Sequence, residues 1–324
     1  MTAIIQGIEG DDLSFHIRLL GNDINRLPND VWFYPLNDHY NIHSASWHDA
    51  QVEQINRART VVFYDLVNTG DYEHSRFVKF VEEFEHPNKY YLTVNQSNIE
   101  IPDVKIIQWD FMWNRIKAYY TASIPEELHL HHYSYGNYKL FDLDFNSLRN
   151  KKFLSMTGRE YGYRTNLYNF VKDYDGYISN RSLGITLENT EVMGAFNPVP
   201  NNFYLDSYFS FYVESNCQQQ NLIHITEKTF EPLIKGHFIL PVSNPGTIRR
   251  LRDLGFAFPK FIDYSFDEEL DTVQRFELIK LEFKRLLDLD WHTLYKDNQD
   301  ILIHNQRCIF SIPYDRRLLE IFNV

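Results

Sequence analysis

ITEKTFEP, residues 225–232, is followed by the apolar run HFILPV at 237–242 and the turn NPGT at 244–247. This order predicts a helix with Thr226, Glu227 and Lys228 in its first turn, then a buried strand, then a tight turn opening a second helix. A helix start carries free backbone N–H groups and the positive end of the macrodipole, and both favour a diphosphate. Lys228 adds a point charge, and the Glu227 carboxylate can accept hydrogen bonds from two neighbouring ribose hydroxyls. One helical turn would then grip both halves of a nucleoside diphosphate. Thr at an N-cap with Glu in the first turn also stabilises any helix. Taken alone the octapeptide therefore reads as ordinary capping too, and its surroundings decide.

Those surroundings are an aromatic run, YFSFYV at 208–213, ending in Glu214-Ser215-Asn216, and the stretch Lys152–Val171. The latter reads as a strand, a loop region with Arg159 and Arg164, and an amphipathic helix. An aromatic strand, a Glu-Ser-Asn step, a short polar gap, a Thr-Glu-Lys helix and an apolar strand with a Pro-Gly turn form one succession. It resembles the donor-binding half of nucleotide-sugar glycosyltransferases of the GT-B fold. The likeness is greatest to the α-1,3-fucosyltransferase group and related bacterial and phage proteins, and it covers Phe153–Pro259.

The resemblance implies an α/β protein of GT-B type, with two Rossmann-like domains facing each other across a cleft. It assigns Glu227 to the donor ribose and Lys228 to the diphosphate, with Thr226 opening their helix. It gives a phosphate-binding arginine, matched better by Arg164 than by Arg159, and aligns Glu214 with the acidic residue before the gap. Glu214-Ser215-Asn216 stands where fucosyltransferases prefer Phe-Glu-Asn, and Phe230-Glu231-Pro232 also departs from their pattern, so the likeness does not extend to fucose as the sugar.

With 324 residues, 44% of them hydrophobic, the chain has the length of two ordinary domains. We place an acceptor-side domain at 1–148 and a nucleotide-sugar domain at 149–324, its last segment, Pro313–Phe322, crossing back to the first as in GT-B enzymes. The opening MTAIIQGIEGDD has no basic region, and Cys217 and Cys308 are too few for a disulfide framework. No stretch approaches transmembrane length. The expectation is a cytoplasmic protein, or one in the host cytoplasm if phage-encoded.

In the first half Ala3–Ile8, Thr60–Leu66, Lys89–Val94 and Val104–Trp109 read as strands, and Glu73–Phe84 and Phe111–Tyr120 as helices. In the second half Phe153–Met156 and Tyr177–Asn180 are strands. Tyr163–Lys172, Asp267–Leu287 and Trp291–Phe310 are helices. This is α/β order, and such sheets bind ligands beyond the carboxyl ends of their strands. A base for deprotonating an acceptor hydroxyl belongs just after a first-domain strand. Asp65, following Val61-Val62-Phe63-Tyr64, fits best and is the nearest match to the family's general-base Glu; Asp71 and Asp12 are rivals. Each also reads as a turn or N-cap aspartate.

Lys228, Arg164 and the helix start would stabilise a departing diphosphate without a metal, so no metal or cofactor is expected beyond the nucleotide-sugar donor. Asp142-Leu143-Asp144, Asp173-Tyr174-Asp175 and Asp288-Leu289-Asp290 match a metal-binding Asp-x-Asp pattern at near-chance frequency for an acidic chain. His129, His131 and His132 lack a third ligand at metal spacing. Neither a Walker A sequence nor G-x-G-x-x-G occurs. A net charge of −12 argues against a partner held by phosphate neutralisation. A glycan hydroxyl of a bacterial surface polysaccharide precursor therefore precedes a hydroxymethylated base of phage DNA as acceptor. A nucleotide-sugar epimerase and a non-catalytic nucleotide-sugar binder are the remaining readings.

Overall fold

A computed structural model describes residues 31–35, 58–65, 78–94, 96–97, 100–121, 139–157, 162–180, 183–185, 187 and 199–322. The chain is mixed α/β, with two four-stranded sheets that are parallel throughout. Its described residues fall into two units. The first holds those from 31 to 118 together with 314–322, and the second holds 119–121 and those from 139 to 313.

The first unit is built on strands β1 (Val31–Pro35), β2 (Thr60–Asp65), β3 (Lys89–Thr93) and, beyond the short β4 (Gln96–Ser97), β5 (Val104–Gln108). They lie in the order β1-β2-β3-β5. Strand side chains alternate between faces, and here both faces are buried. Val62, Tyr64, Tyr90 and Leu92 join one core with Leu318, Leu319, Ile321 and Phe322. Val61, Phe63 and Tyr91 join a second with Val81, Phe80 and Phe84. This two-sided burial explains the uninterrupted apolar run at 61–64.

β1 carries little sequence signal, because its five residues stand alone between polar stretches. The expected strand Ala3–Ile8 lies outside the described residues. Helix α1 (Phe111–Thr121) follows β5. Nearby, Asn114 Nδ2 donates to the Asp315 carbonyl at 2.8 Å, and the Asp315 backbone N–H donates back to Asn114 Oδ1 at 2.7 Å. The Asp315 carboxylate in turn accepts from the Asp110 N–H at 2.7 Å. These bonds fasten residues 314–322 to the first unit.

The second unit opens earlier than the expected 149. Residues 139–148 look like a polar linker, yet Phe141, Leu143 and Phe145 recur at alternate positions and pack on it. The Phe145 ring lies 5.3 Å from Tyr295, and Gln306 Nε2 donates to the Phe141 carbonyl at 2.9 Å. Its strands are β6 (Lys151–Thr157), β7 (Tyr177–Asn180), β8 (Ser207–Val213) and, after the short β9 (Leu222–Ile223), β10 (Phe238–Val242). The sheet order is β10-β8-β6-β7.

Helices α2 (Gly162–Val171), α3 (Asn201–Leu205), α4 (Glu227–Ile234) and α5 (Thr247–Leu254) connect these strands or follow them. They are succeeded by α6 (Thr272–Leu287), α7 (Trp291–Asp297) and α8 (Gln299–Ser311). The single helix expected at 291–310 is broken at Asn298, whose side-chain amide donates to the Leu294 carbonyl at 2.9 Å and closes α7. The helix expected from Asp267 starts later, with Asp271 as its N-cap.

Helix α4 ends at Gly236, whose φ of +76° suits glycine. A Cβ there would lie 2.4 Å from Leu143 Cδ2. The His237 N–H donates to the Pro232 carbonyl at 2.9 Å, completing a Schellman turn that leads directly into β10. Among the described residues no helix is long and apolar enough to cross a membrane.

Candidate functional site

Successive residues of β8 face opposite ways, and this decides where the helices sit. Phe211 meets Phe170 of α2, ring centroids 6.3 Å apart. The Tyr212 hydroxyl bonds to Thr229 Oγ1 of α4 at 2.7 Å. Helices α2 and α4 therefore cover opposite faces of the sheet. From β6 the chain runs through α2 to β7 on one side, whereas β8 lies on the other side and leads through α4 to β10. The order reverses between β6 and β8, and beyond the carboxyl ends of two such strands the connections diverge and leave a crevice.

Three side chains converge at that edge. Arg164, from the first turn of α2, donates through Nη2 to Ser215 Oγ at 3.3 Å. Lys228, from the first turn of α4, donates through Nζ to the same Ser215 Oγ at 3.1 Å. Two cations from opposite faces of the sheet thus meet over one hydroxyl just past the end of β8. Lys228 also donates to Glu227 Oε1 at 2.9 Å and to Thr226 Oγ1 at 3.4 Å. Arg164 is buried, while the Lys228 and Glu227 side chains are 24% and 22% exposed, enough for a ligand to reach both.

Glu214 does something other than face a ligand. Its side chain is 1% exposed, and its two oxygens accept four bonds. Oε1 takes the Thr226 N–H at 3.0 Å and the Thr229 hydroxyl at 2.5 Å. Oε2 takes the Thr226 hydroxyl at 2.6 Å and the Ser215 N–H at 3.1 Å. The carboxylate fixes the start of α4 and Ser215, just beyond β8, in one frame. It acts as a positioning residue for Ser215, Thr226 and, through them, Lys228.

This narrows what the helix start itself can offer. The Thr226 N–H is used by Glu214, and the Lys228 N–H is capped by Thr226 Oγ1 at 3.4 Å. Thr226 is therefore an N-cap as well as part of the motif, and the charge available to an anion comes mainly from Arg164 and Lys228. His224 adds none, because burial pushes its imidazole down to about 4, leaving it neutral near pH 7. The second helix start, at NPGT, is filled from within. The Asp267 carboxylate accepts from the Ile248 and Arg249 N–H groups, each at 3.0 Å.

Arg275, which no sequence pattern singles out, staples the two loops beyond β8 and β10. Its Nη2 donates to the Cys217 carbonyl at 2.8 Å and its Nε to the Ser243 carbonyl at 3.0 Å. Ser215 has no role of its own in the sequence motif. Its signal is positional, as the residue just beyond a central strand on the side where sheet order reverses.

Asp65 ends β2, at the carboxyl edge of the first sheet. Asp71, Asp12, Arg159, His129, His131 and His132 lie outside the described residues. Two of the Asp-x-Asp matches have local duties. Asp144 accepts from the Asn146 N–H at 2.8 Å and the Ser147 N–H at 3.1 Å. Asp290 caps α7 through the Thr293 N–H at 3.2 Å. In the third, Asp175 pairs with Lys151.

Compared with models of protein families, with curated proteins and with solved structures, the chain matches none.

Proposed function

We propose that the protein is a GT-B glycosyltransferase that moves a sugar from a nucleoside-diphosphate sugar to a hydroxyl acceptor. The observation that carries this reading is the meeting of Arg164 and Lys228 over Ser215 at the switch point of a doubly wound parallel sheet, with Glu227 beside them. Two fixed cations suit a diphosphate, and an adjacent reachable carboxylate suits the paired hydroxyls of a ribose. As the anomeric bond breaks, negative charge grows on the diphosphate, and these cations are already in place to stabilise it.

In this proposal a base takes the hydroxyl proton as the oxygen attacks the anomeric carbon, the role the resemblance assigns to Asp65. The acceptor is a glycan hydroxyl, for which a chain of net charge −12 is better suited than for a DNA duplex.

Titration with a panel of nucleoside diphosphates and their sugars, followed by assays of hydrolysis and transfer, tests the reading. Lys228→Ala and Glu227→Ala are each expected to weaken nucleoside diphosphate binding by about 1.5–3 kcal/mol, roughly ten- to a hundredfold, with unfolding unchanged. Wild-type affinity in both variants would reduce the motif to a helix cap.

Transfer should also persist in excess EDTA, since Arg164 and Lys228 provide the charge that a divalent ion would otherwise bring. Activity that vanishes with chelation and returns with Mn²⁺ or Mg²⁺ would refute that part of the mechanism.

A further inference from the structure

Along β8 and its exit, residues 207–217, Ser215 alone is not buried, so what this strand presents at the crevice is one hydroxyl. That hydroxyl has one proton and two lone pairs. Arg164 Nη2 at 3.3 Å and Lys228 Nζ at 3.1 Å both bond to its oxygen. A guanidinium and an ammonium can only donate, so both lone pairs are filled and the proton is turned away from the two cations. Among the described residues no acceptor takes that proton. The Lys228 ammonium is in the opposite condition, because its three protons are accepted by Glu227 Oε1, Ser215 Oγ and Thr226 Oγ1.

From this we infer that Ser215 is a specificity-determining residue that touches the ligand itself, its hydroxyl donating to an ionised phosphoryl oxygen. The inference rests on the nucleotide site proposed above and assigns a contact to its phosphate part. An O–H whose oxygen already accepts from two cations is polarised toward its proton and donates more strongly than an isolated serine. The charge of Arg164 and Lys228 thus reaches the ligand through Ser215 as well as through space. Because the oxygen can accept nothing more, its partner must be an acceptor. An ionised phosphoryl oxygen is acceptor only and meets that demand, whereas an ammonium in the same place would face three donors.

The test is calorimetric titration of the intact protein with UDP, GDP and inorganic pyrophosphate. Ser215→Ala should bind the preferred nucleoside diphosphate and pyrophosphate each about tenfold more weakly than wild type, the scale of a hydrogen bond to a charged group. Ser215 also spaces the two cations, so the substitution is repeated in Lys228→Ala and in Arg164→Ala proteins. A direct donor still contributes when either cation is gone, and a further loss of at least about threefold should persist in both. Thermal unfolding serves as the control for folding. Ser215→Cys, which keeps the shape and donates weakly, gives the same comparison if alanine disturbs the fold.

A loss that disappears in either cation-deleted protein makes Ser215 a spacer for that cation and overturns the donor role. So does a loss confined to the nucleoside diphosphates with pyrophosphate unaffected, or unchanged affinity in a folded Ser215→Ala protein. In these cases the nucleotide site stands and only the role given to Ser215 is lost. Wild type that binds neither nucleoside diphosphate nor pyrophosphate rejects the site and this inference together.

Discussion

Glu214→Ala is expected to lower the unfolding free energy by about 3–5 kcal/mol, one of the largest single-residue effects in the chain. Its carboxylate accepts four bonds from three residues. Truncation strands a buried backbone N–H and two buried threonine hydroxyls, of Thr226 and Thr229. Each stranded group costs about 1–3 kcal/mol, with partial relief if water enters or the hydroxyls turn to other acceptors. Glu214→Gln should cost less, because one oxygen survives to accept while the new amide cannot take the bonds once made to Oε2. Denaturant unfolding of the two variants, monitored by circular dichroism, measures both values. A Glu214→Ala protein within about 1 kcal/mol of wild type would mean that the start of α4 is held by something other than this carboxylate. Ligand affinity should fall in parallel, since Ser215 and Thr226 would no longer present fixed oxygens to Lys228.

A loss of similar size, about 3–5 kcal/mol, is expected for Phe283→Ala. Phe283 is the fully buried hub of the aromatic core beneath the second sheet. It stacks on Phe211 at 4.5 Å and meets Phe153 at 5.0 Å, Phe170 at 5.4 Å and Tyr174 at 5.5 Å. Rings from α2, from the turn that follows it and from two strands therefore lean on one side chain of α6, and no single neighbour can collapse into the space it would leave. Phe283→Leu keeps most of the volume and loses the ring geometry, so its cost should be nearer 1–2 kcal/mol. A Phe283→Ala protein as stable as the leucine variant would show that this core is plastic rather than close-packed.

The parts of the fold legible in the sequence are those whose local pattern and tertiary environment agree. The apolar runs at 61–64 and 238–242 and the aromatic run at 208–213 are strands because both faces of their sheets are covered, so nothing polar interrupts them. Thr226, Glu227 and Lys228 are legible for a different reason: capping chemistry is local, and the residues that need it are neighbours. Residues 139–148 group with the second unit although their sequence is mostly polar: Phe141, Leu143 and Phe145 alternate as in a strand but sit in a stretch that forms none, so the pattern gives no element to which they could be assigned. The duty of Glu214 is likewise hidden. Its partners are 12 and 15 positions away, and a carboxylate beside a ligand motif looks the same in sequence whether it faces the ligand or the helix. Arg275 is the extreme case, since four of its five bonds go to backbone carbonyls, which every sequence has everywhere.

The short segment fastened beside α1 carries a consequence for how the protein comes to be folded during synthesis. Trp109 Nε1 donates to the Asp315 carbonyl across 206 positions, and Leu318, Leu319, Ile321 and Phe322 complete one face of the first sheet. While a ribosome is still translating the intervening residues, the contacts these four side chains make with that face are missing. At about 5–20 residues per second the wait is on the order of ten to forty seconds. The second unit needs no such wait, because its described residues, 119–121 apart, all lie between 139 and 313 with none of the first unit between them. The usual amino-to-carboxyl order of domain maturation is therefore reversed here. The half begun first is finished last, and in the interval its core lacks the four apolar side chains that complete it.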